Sequence, residues 1–330
     1  EQQIPMLLTA TIGNISLAGK LKLVDLRLPE KYLSGFTGPK FGIKGIRDLL
    51  SVQERPLLNN MIKPCTGYPV EVGEKLFFEA AIGGADIIKD DELLANMSFN
   101  KSSERVKRYL VLAKKKYEET GEKTLYTVNI TDDVPKIFEN ANRAVELGAN
   151  AIMINYLAVG LTVLKALSED KKINVPVLAH MDVAGAMYES PYSGISSHLV
   201  LGKLPRLAGA DIVVFPAPYG KAPILPERYL HIANTLTYPM KNIKETWPMP
   251  SGGITPQVVS KVIKDLGTDI IIGTGGGIHA HPRGPRAGAK AFRQAIDAAM
   301  KGVSIEEAAK QHEELRVALE GVKPSLDTFL

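Results

Sequence analysis

Cysteine is all but missing from this sequence: Cys65 stands alone, so no intrachain disulfide can form, and the composition suits a reducing compartment. Long apolar runs are missing too. None reaches the roughly 18 residues that a membrane span requires, and the N-terminus lacks a signal-peptide pattern. A membrane role is therefore not expected, and the cytoplasm is the expected address. Charge of one sign is not in excess: 40 Lys and Arg against 36 Asp and Glu leave a formal +4 with scattered lysines, so nucleic acid is not an expected partner. What remains is a chain of 330 residues, 45% hydrophobic and 23% charged, an ordinary globular composition with material for a large core.

One stretch organises the rest: Gly84-Ala-Asp-Ile-Ile-Lys89-Asp90-Asp91-Glu92, a short apolar run ending in a lysine and three carboxylates. The run reads as a buried strand of a parallel sheet whose charges begin where it leaves the core. Alternation puts Lys89 and Asp91 on one face, with Glu92 on the following turn. Such oxygens suit a hard cation such as Mg²⁺. An ammonium cannot ligate a metal, which leaves three readings of Lys89: it neutralises the acids, it is a desolvated amine that forms a Schiff base, or it carries CO₂ as a carbamate and becomes an anionic ligand.

In chain order, Met6 to Ile12 and Leu21 to Arg27 read as strands about a turn at Gly13-Asn14, resembling the tail of a small α+β domain (residues 1–35) whose beginning is missing. A Gly/Pro-rich connector (36–54) holds one short helix, Ile43 to Leu50. From 55 to 302, eight strand-like runs alternate with helix-like runs. The strands are expected near Leu57–Lys63, Ala85–Lys89, Thr124–Ile130, Ala151–Asn155, Val175–His180, Asp211–Phe215, Trp247–Ser251 and Asp269–Gly273. The amphipathic stretches are Val70–Ile82, Ser102–Thr120, Val134–Leu147, Leu161–Leu167, Gly194–Ala208, Pro226–Thr237, Pro256–Leu266 and Ala287–Met300. This is the pattern of an α/β fold of the (β/α)₈ TIM-barrel type, with a doubly wound sheet as the alternative. A helical extension (303–330) follows.

In such a barrel, active-site residues gather where strands end. The expected strand ends carry Lys63, then Lys89, Asp91 and Glu92, then His180, then Tyr219-Gly220-Lys221, Ser251-Gly252-Gly253, and Gly275-Gly276-Gly277. Two glycine loops after the seventh and eighth strands offer backbone N–H groups to a phosphate.

Met61-Ile-Lys63-Pro64, Ile88-Lys89-Asp90-Asp91-Glu92, Pro250-Ser251-Gly252-Gly253-Ile254, and Gly275-Gly276-Gly277-Ile278 with His281-Pro282-Arg283-Gly284 together resemble the large subunit of ribulose-bisphosphate carboxylase (RuBisCO), and more closely the RuBisCO-like proteins. The resemblance runs from Ile4 to about Gly302. It implies CO₂ carried as a carbamate on Lys89, Mg²⁺ held by that group with Asp91 and Glu92, and proton transfer by Lys63. It implies that His180 acts in the fifth-strand position and Lys221 on a mobile loop that closes over substrate. Ser251, Gly252, Gly253, Gly275, Gly276 and Gly277 would bind substrate and phosphate. Asn14 would be contributed near the metal by a partner subunit, which makes a homodimer the expected assembly. Cationic, partly dry surroundings are expected to lower the pKa of Lys63.

Departures narrow the reaction. Met181, Ala184, Val214 and Cys65 stand where carboxylases carry an arginine, two histidines and a second lysine, arguing for a substrate with one phosphate and a less charged distal end. The resemblance then implies Mg²⁺-dependent enolisation of a phosphorylated ketose-type molecule, as in the 2,3-diketo-5-methylthiopentyl-1-phosphate enolases of methionine salvage. Asn14 and Lys221 depart from those enolases, which keeps open a decarboxylase of an oxo-sugar-acid phosphate such as 3-oxo-isoapionate-4-phosphate. A Schiff-base aldolase and a non-catalytic barrel are the readings from other classes. Elsewhere, His279 and His281 match a metal pair by spacing alone, Cys65 reads as pocket lining, and Lys114-Lys115-Lys116 reads as an exposed helix face.

Overall fold

The computed structural model describes residues 2–221 and 224–321. Eight parallel strands, β1 (Leu57–Met61), β2 (Ile87–Lys89), β3 (Leu125–Asn129), β4 (Ala151–Ile154), β5 (Val177–Ala179), β6 (Ile212–Pro216), β7 (Trp247–Ser251) and β8 (Ile271–Thr274), form one sheet in the order β8-β1-β2-β3-β4-β5-β6-β7. Helices cover it, among them Val70–Ile82, Ser102–Thr120, Lys136–Glu146, Leu161–Glu169, Pro226–Thr237, Val259–Leu266 and Gly284–Met300. Alternation along the strands sorts the core in two. Leu57, Ile87, Leu125, Ala151, Met153, Leu178, Ile212, Val214, Trp247, Met249 and Ile271 fill the barrel, whereas Leu58, Ile88, Tyr126, Val128, Ile152, Val213 and Ile272 face the helices.

Between β7 and β8 the strands touch without a hydrogen-bonded ladder. The reason is in β7 itself, Trp-Pro-Met-Pro-Ser. Trp247 donates its N–H to Asp211 at the start of β6, so the alternate positions Pro248 and Pro250 are the ones that would donate toward β8, and proline has no N–H.

The N-terminal mouth of the barrel is plugged by the helix Gly42–Leu50, whose Ile43, Ile46 and Leu50 join the interior cluster. Buried Asp211 ties this plug to the barrel, accepting from the backbone N–H of Phe41 (2.7 Å), Gly42 (2.9 Å) and Val177 (3.0 Å). On the plug's other side Arg47 bonds Asp269 at 2.6 Å and lies over the Trp247 ring.

Several segments depart from the sequence expectation. Met6 to Ile12 is helical, part of Ile4–Ile12, with Pro5 in its first turn; Ile4 and Leu7, three apart, are the buried pair, a spacing that fits a helix and not a strand. Of the strand expected from Leu21, only Lys22–Leu23 forms, pairing in parallel with Gly194–Ile195, so the helix expected from Gly194 begins at Leu199. Lys116 does not belong to an exposed face: it is fully buried, its Nζ 3.3 Å from Glu122, while Lys114 and Lys115 are exposed. The C-terminal extension is helical over Ile305–Gln311 and Glu313–Gly321, and the rest of the expected extension, 322–330, lies outside the described residues. Among the described residues no helix is long and apolar enough to cross a membrane.

The plug can be tested directly. Ile46 is completely buried and Leu49 on the same helix is 37% exposed. Ile46→Ala is expected to lower stability by about 2–4 kcal/mol and Leu49→Ala by well under half of that, as measured by urea denaturation.

Candidate active site at the C-terminal mouth of the barrel

Lys89 ends β2 on its inner face, fully buried, with Nζ 2.8 Å from the Asp90 carbonyl oxygen and 3.0 Å from Glu92 Oε2. Asp90 turns outward into a closed network: its Oδ2 accepts from Arg105 Nε (3.1 Å), Arg105 Nη2 (2.9 Å) and the Asn129 N–H (2.9 Å), and its Oδ1 from the Tyr126 hydroxyl (2.7 Å). Asp90 is thereby a structural carboxylate, and Asp91 and Glu92 are left to the mouth. Their turn is held from two neighbouring strand ends: Asn129 Nδ2 donates to the Asp91 and Glu92 carbonyls, and Asn155 Nδ2 to that of Glu92 at 3.1 Å.

Lys63, two residues beyond β1, places Nζ 2.6 Å from Asp91 Oδ2 and 3.0 Å from Cys65 Sγ. His180, just beyond β5, sets Nε2 3.3 Å from Glu92 Oε2 and Nδ1 3.4 Å from Asp182 Oδ2. Lys63, Lys89, Asp91, Glu92 and His180 therefore meet in one cluster although they span 118 positions of sequence, from 63 to 180 counted inclusively.

Burial favours the neutral form of Lys63, but hydrogen bonds and charge from Asp91, with Cys65, outweigh it and hold the ammonium above the ordinary lysine range. This reverses the expected lowering: the nearest charge is a carboxylate, not a second cation. Burial also opposes the charge on Glu92, yet Lys89 and His180 pull its carboxyl down to about 2. Asp91 and Glu92 are two hard oxygen donors, and among the described residues no set of three His, Cys, Asp or Glu side chains forms a metal site. Lys89 fits the role of third ligand only if it becomes an anion, because its ammonium donates where a ligand must accept.

The loop after β8 packs against Lys63, and the loop after β7 against Gly220 and Lys221. Gly252 and Gly253 take φ of 94° and 105° after the buried Ser251, and Gly252 accepts the Lys221 N–H at 2.8 Å. Gly220 lies so close that a Cβ there would sit 1.9 Å from the Gly252 carbonyl oxygen. A Cβ on Gly275 would meet Met61 at 2.9 Å and Lys63 Cε at 3.2 Å, and one on Gly277 the Ile254 carbonyl oxygen, whereas Gly276 faces open space. Asn14 lies apart, exposed on the 3₁₀ turn Asn14–Ala18 of the N-terminal segment.

Of the positions where carboxylases differ, Met181 and Val214 pack in the barrel and Ala184 is buried against the outer core. His281 is engaged at both nitrogens, by the Glu314 carbonyl (3.0 Å) and the Arg283 N–H (3.0 Å), so it is not half of a metal pair. His279 is a residue the sequence did not single out as part of the site. Its Nε2 is buried without a hydrogen-bond partner, and burial, with the charge of Lys63 adding, pushes the imidazole down to about 4.

Fold and site together define a (β/α)₈ barrel with a lysine–carboxylate cluster at its strand ends. The chain belongs to the RuBisCO large-chain family, matching the ribulose bisphosphate carboxylase large chain catalytic domain over residues 42–222 and 232–322. It is 60% identical over 300 residues to a ribulose bisphosphate carboxylase-like protein of Archaeoglobus fulgidus, covering 91% of this chain and 69% of that relative. It is 42% identical over 317 residues to the 2,3-diketo-5-methylthiopentyl-1-phosphate enolase of Geobacillus thermodenitrificans, covering 96% and 77%. A solved structure of a RuBisCO-like protein (MtnW) from Alicyclobacillus acidocaldarius superposes with a TM-score of 0.92 at 40% identity, covering 97% of this chain and 80% of that one.

The His279 shift has a pH signature. An unfolded imidazole takes its proton near 6.5 and the folded one only near 4, so between those values the unfolded state binds more protons. Stability is expected to fall as pH drops from about 6.5 toward 4, and His279→Gln to flatten that part of the stability–pH curve measured by urea denaturation.

Proposed function

We propose that this protein enolises a phosphorylated 2,3-diketone of the 2,3-diketo-5-methylthiopentyl-1-phosphate type with Mg²⁺ and a carbamate on Lys89. The observation that carries this reading is the meeting of Lys63, Lys89, Asp91, Glu92 and His180 at one strand-end cluster. The names of the relatives favour enolase over decarboxylase.

Carbamylated Lys89, Asp91 and Glu92 would hold the cation. When bound, it supplies electrophilic stabilisation of negative charge on the substrate's oxygens. Lys63, kept as an ammonium by Asp91, would donate a hydrogen bond to the developing enolate oxygen. His180 is assigned to proton movement, with Nε2 near Glu92 and Nδ1 near Asp182. Backbone N–H groups of Gly252, Gly253, Gly275, Gly276 and Gly277, with Ser251, bind the phosphate, and Lys221, on the loop tied to Gly252, covers it. Met181, Val214 and Cys65 present no cation to a second phosphate, which suits an uncharged distal end.

The assembly we propose is a homodimer in which Asn14 of a second copy reaches this mouth. Asn14 is followed by exposed Ile15 (55%) and Leu17 (86%), and the turn after Glu92 exposes Leu93 (62%) and Phe99 (49%). Burying such residues is the expected driving force. Size measurement by light scattering is expected to give a dimer; a fully active monomer would overturn this assembly.

Proton NMR in D₂O with Mg²⁺ and bicarbonate tests the reaction. The diketone phosphate is expected to tautomerise with solvent deuterium incorporated, and Lys89→Ala to lose at least about a hundredfold in rate, the scale of removing one charge-stabilising group. Turnover that survives Lys89→Ala or needs no divalent cation sinks the proposal, and trapping by borohydride would replace it with a Schiff base.

A further inference from the structure

Thr127 is completely buried, and its Oγ1 has no hydrogen-bond partner. Such a hydroxyl is costly unless something completes it. Its neighbours on β3 decide where it points. Leu125 belongs to the barrel interior and Tyr126 and Val128 to the outer core, so Thr127 faces inward. On β2 the same logic, with Ile87 inside and Ile88 outside, turns Lys89 inward.

The ladder brings these two together. Lys89 pairs in register with Thr127 on one side and with Met61 on the other, and Met61 has no donor. The lysine also leans toward β3. Its Nζ donates to the Asp90 carbonyl, and the N–H of Asp90, on the same edge of the strand, donates to the Thr127 carbonyl at 3.2 Å. Another unpartnered interior side chain, Asn59, pairs in register with Ile87, one inward position deeper.

Resting on the reading that Lys89 is carbamylated, we infer that the Thr127 hydroxyl is a positioning donor for that carbamate. In forming it, the lone pair of neutral Nζ bonds to the carbon of CO₂, one C=O electron pair moves onto oxygen, and one N–H proton leaves. Amine and CO₂ thus give –NH–COO⁻ and H⁺ with no change of oxidation state. The remaining N–H keeps the Asp90 carbonyl, one oxygen accepts from Thr127, and a second oxygen stays available for the cation. The hydroxyl unpaired beside the ammonium is then paired in the active form.

Carbon-13 NMR with labelled bicarbonate, without substrate, tests this on wild type, Thr127→Val, Thr127→Ser and Lys89→Ala. Wild type is expected to give a carbamate resonance that Lys89→Ala lacks. Thr127→Val should need about ten- to a hundredfold more CO₂ for half-occupancy, the loss expected of one hydrogen bond to a charged group. Thr127→Ser, which keeps the hydroxyl, should return to within about twofold of wild type. Without CO₂, Thr127→Val should melt no lower than wild type, since it removes an unpaired buried hydroxyl and conserves shape. Carbamate formation by Thr127→Val at wild-type CO₂ levels overturns the inference and leaves the carbamate reading intact. A lower melting temperature for Thr127→Val without CO₂ also overturns it, by making the hydroxyl a structural partner. No carbamate in wild type overturns both.

Discussion

A fully buried ammonium at the end of β2 is the constraint around which the mouth of this barrel is built. Lys89 has no solvent to share its charge, and the protein compensates with the Asp90 carbonyl and Glu92. Glu92 is in turn held ionised by Lys89 and His180, and Asp91 lies 2.6 Å from Lys63 Nζ. Two lysines and two carboxylates thus neutralise one another in a space that a cation and an anionic Lys89 would occupy with the same ligands. The cluster balances its charges in either form.

The surrounding frame holds those groups without joining the chemistry. Asp90 is the first carboxylate of the run, and the buried Arg105 and Tyr126, with the Asn129 N–H, hold it on the helix side of the sheet. Asn129 and Asn155 pin the backbone of the next two residues from β3 and from the end of β4. Far below, the Gly42–Leu50 plug and Asp211 seal the opposite mouth, so the barrel is a packed core with one reactive end. The prolines of β7 remove one ladder, and packing against β8 makes the closure instead.

Much of this was legible in the chain. Apolar runs flanked by helical periodicity located all eight strands, and Val70–Ile82, Ser102–Thr120, Pro226–Thr237 and Trp247–Ser251 form over the residues expected. Strand ends pointed to Lys63, Lys89, Asp91, Glu92 and His180, because in this fold the inward-facing side chains at the end of a strand open onto the mouth. Short apolar segments were harder. Ile4 to Ile12 is as compatible with a strand as with a helix until Leu7 and Ile4 find their pocket, and Lys116 in a lysine run gives no local sign that it will be buried against Glu122.

What the sequence determined by itself, then, is the order of elements and the residue types at each strand end, since both follow from period and composition along the chain. Tertiary structure alone decided which charges are partners. The raised pKa of Lys63 arises from Asp91, 28 positions away, and the lowered one of His279 from burial beside Lys63. The unpaired hydroxyl of Thr127 beside Lys89 exists only because β2 and β3 align in one register. Electrostatic environment is set by neighbours in space, and a barrel chooses those neighbours through its strand pairing.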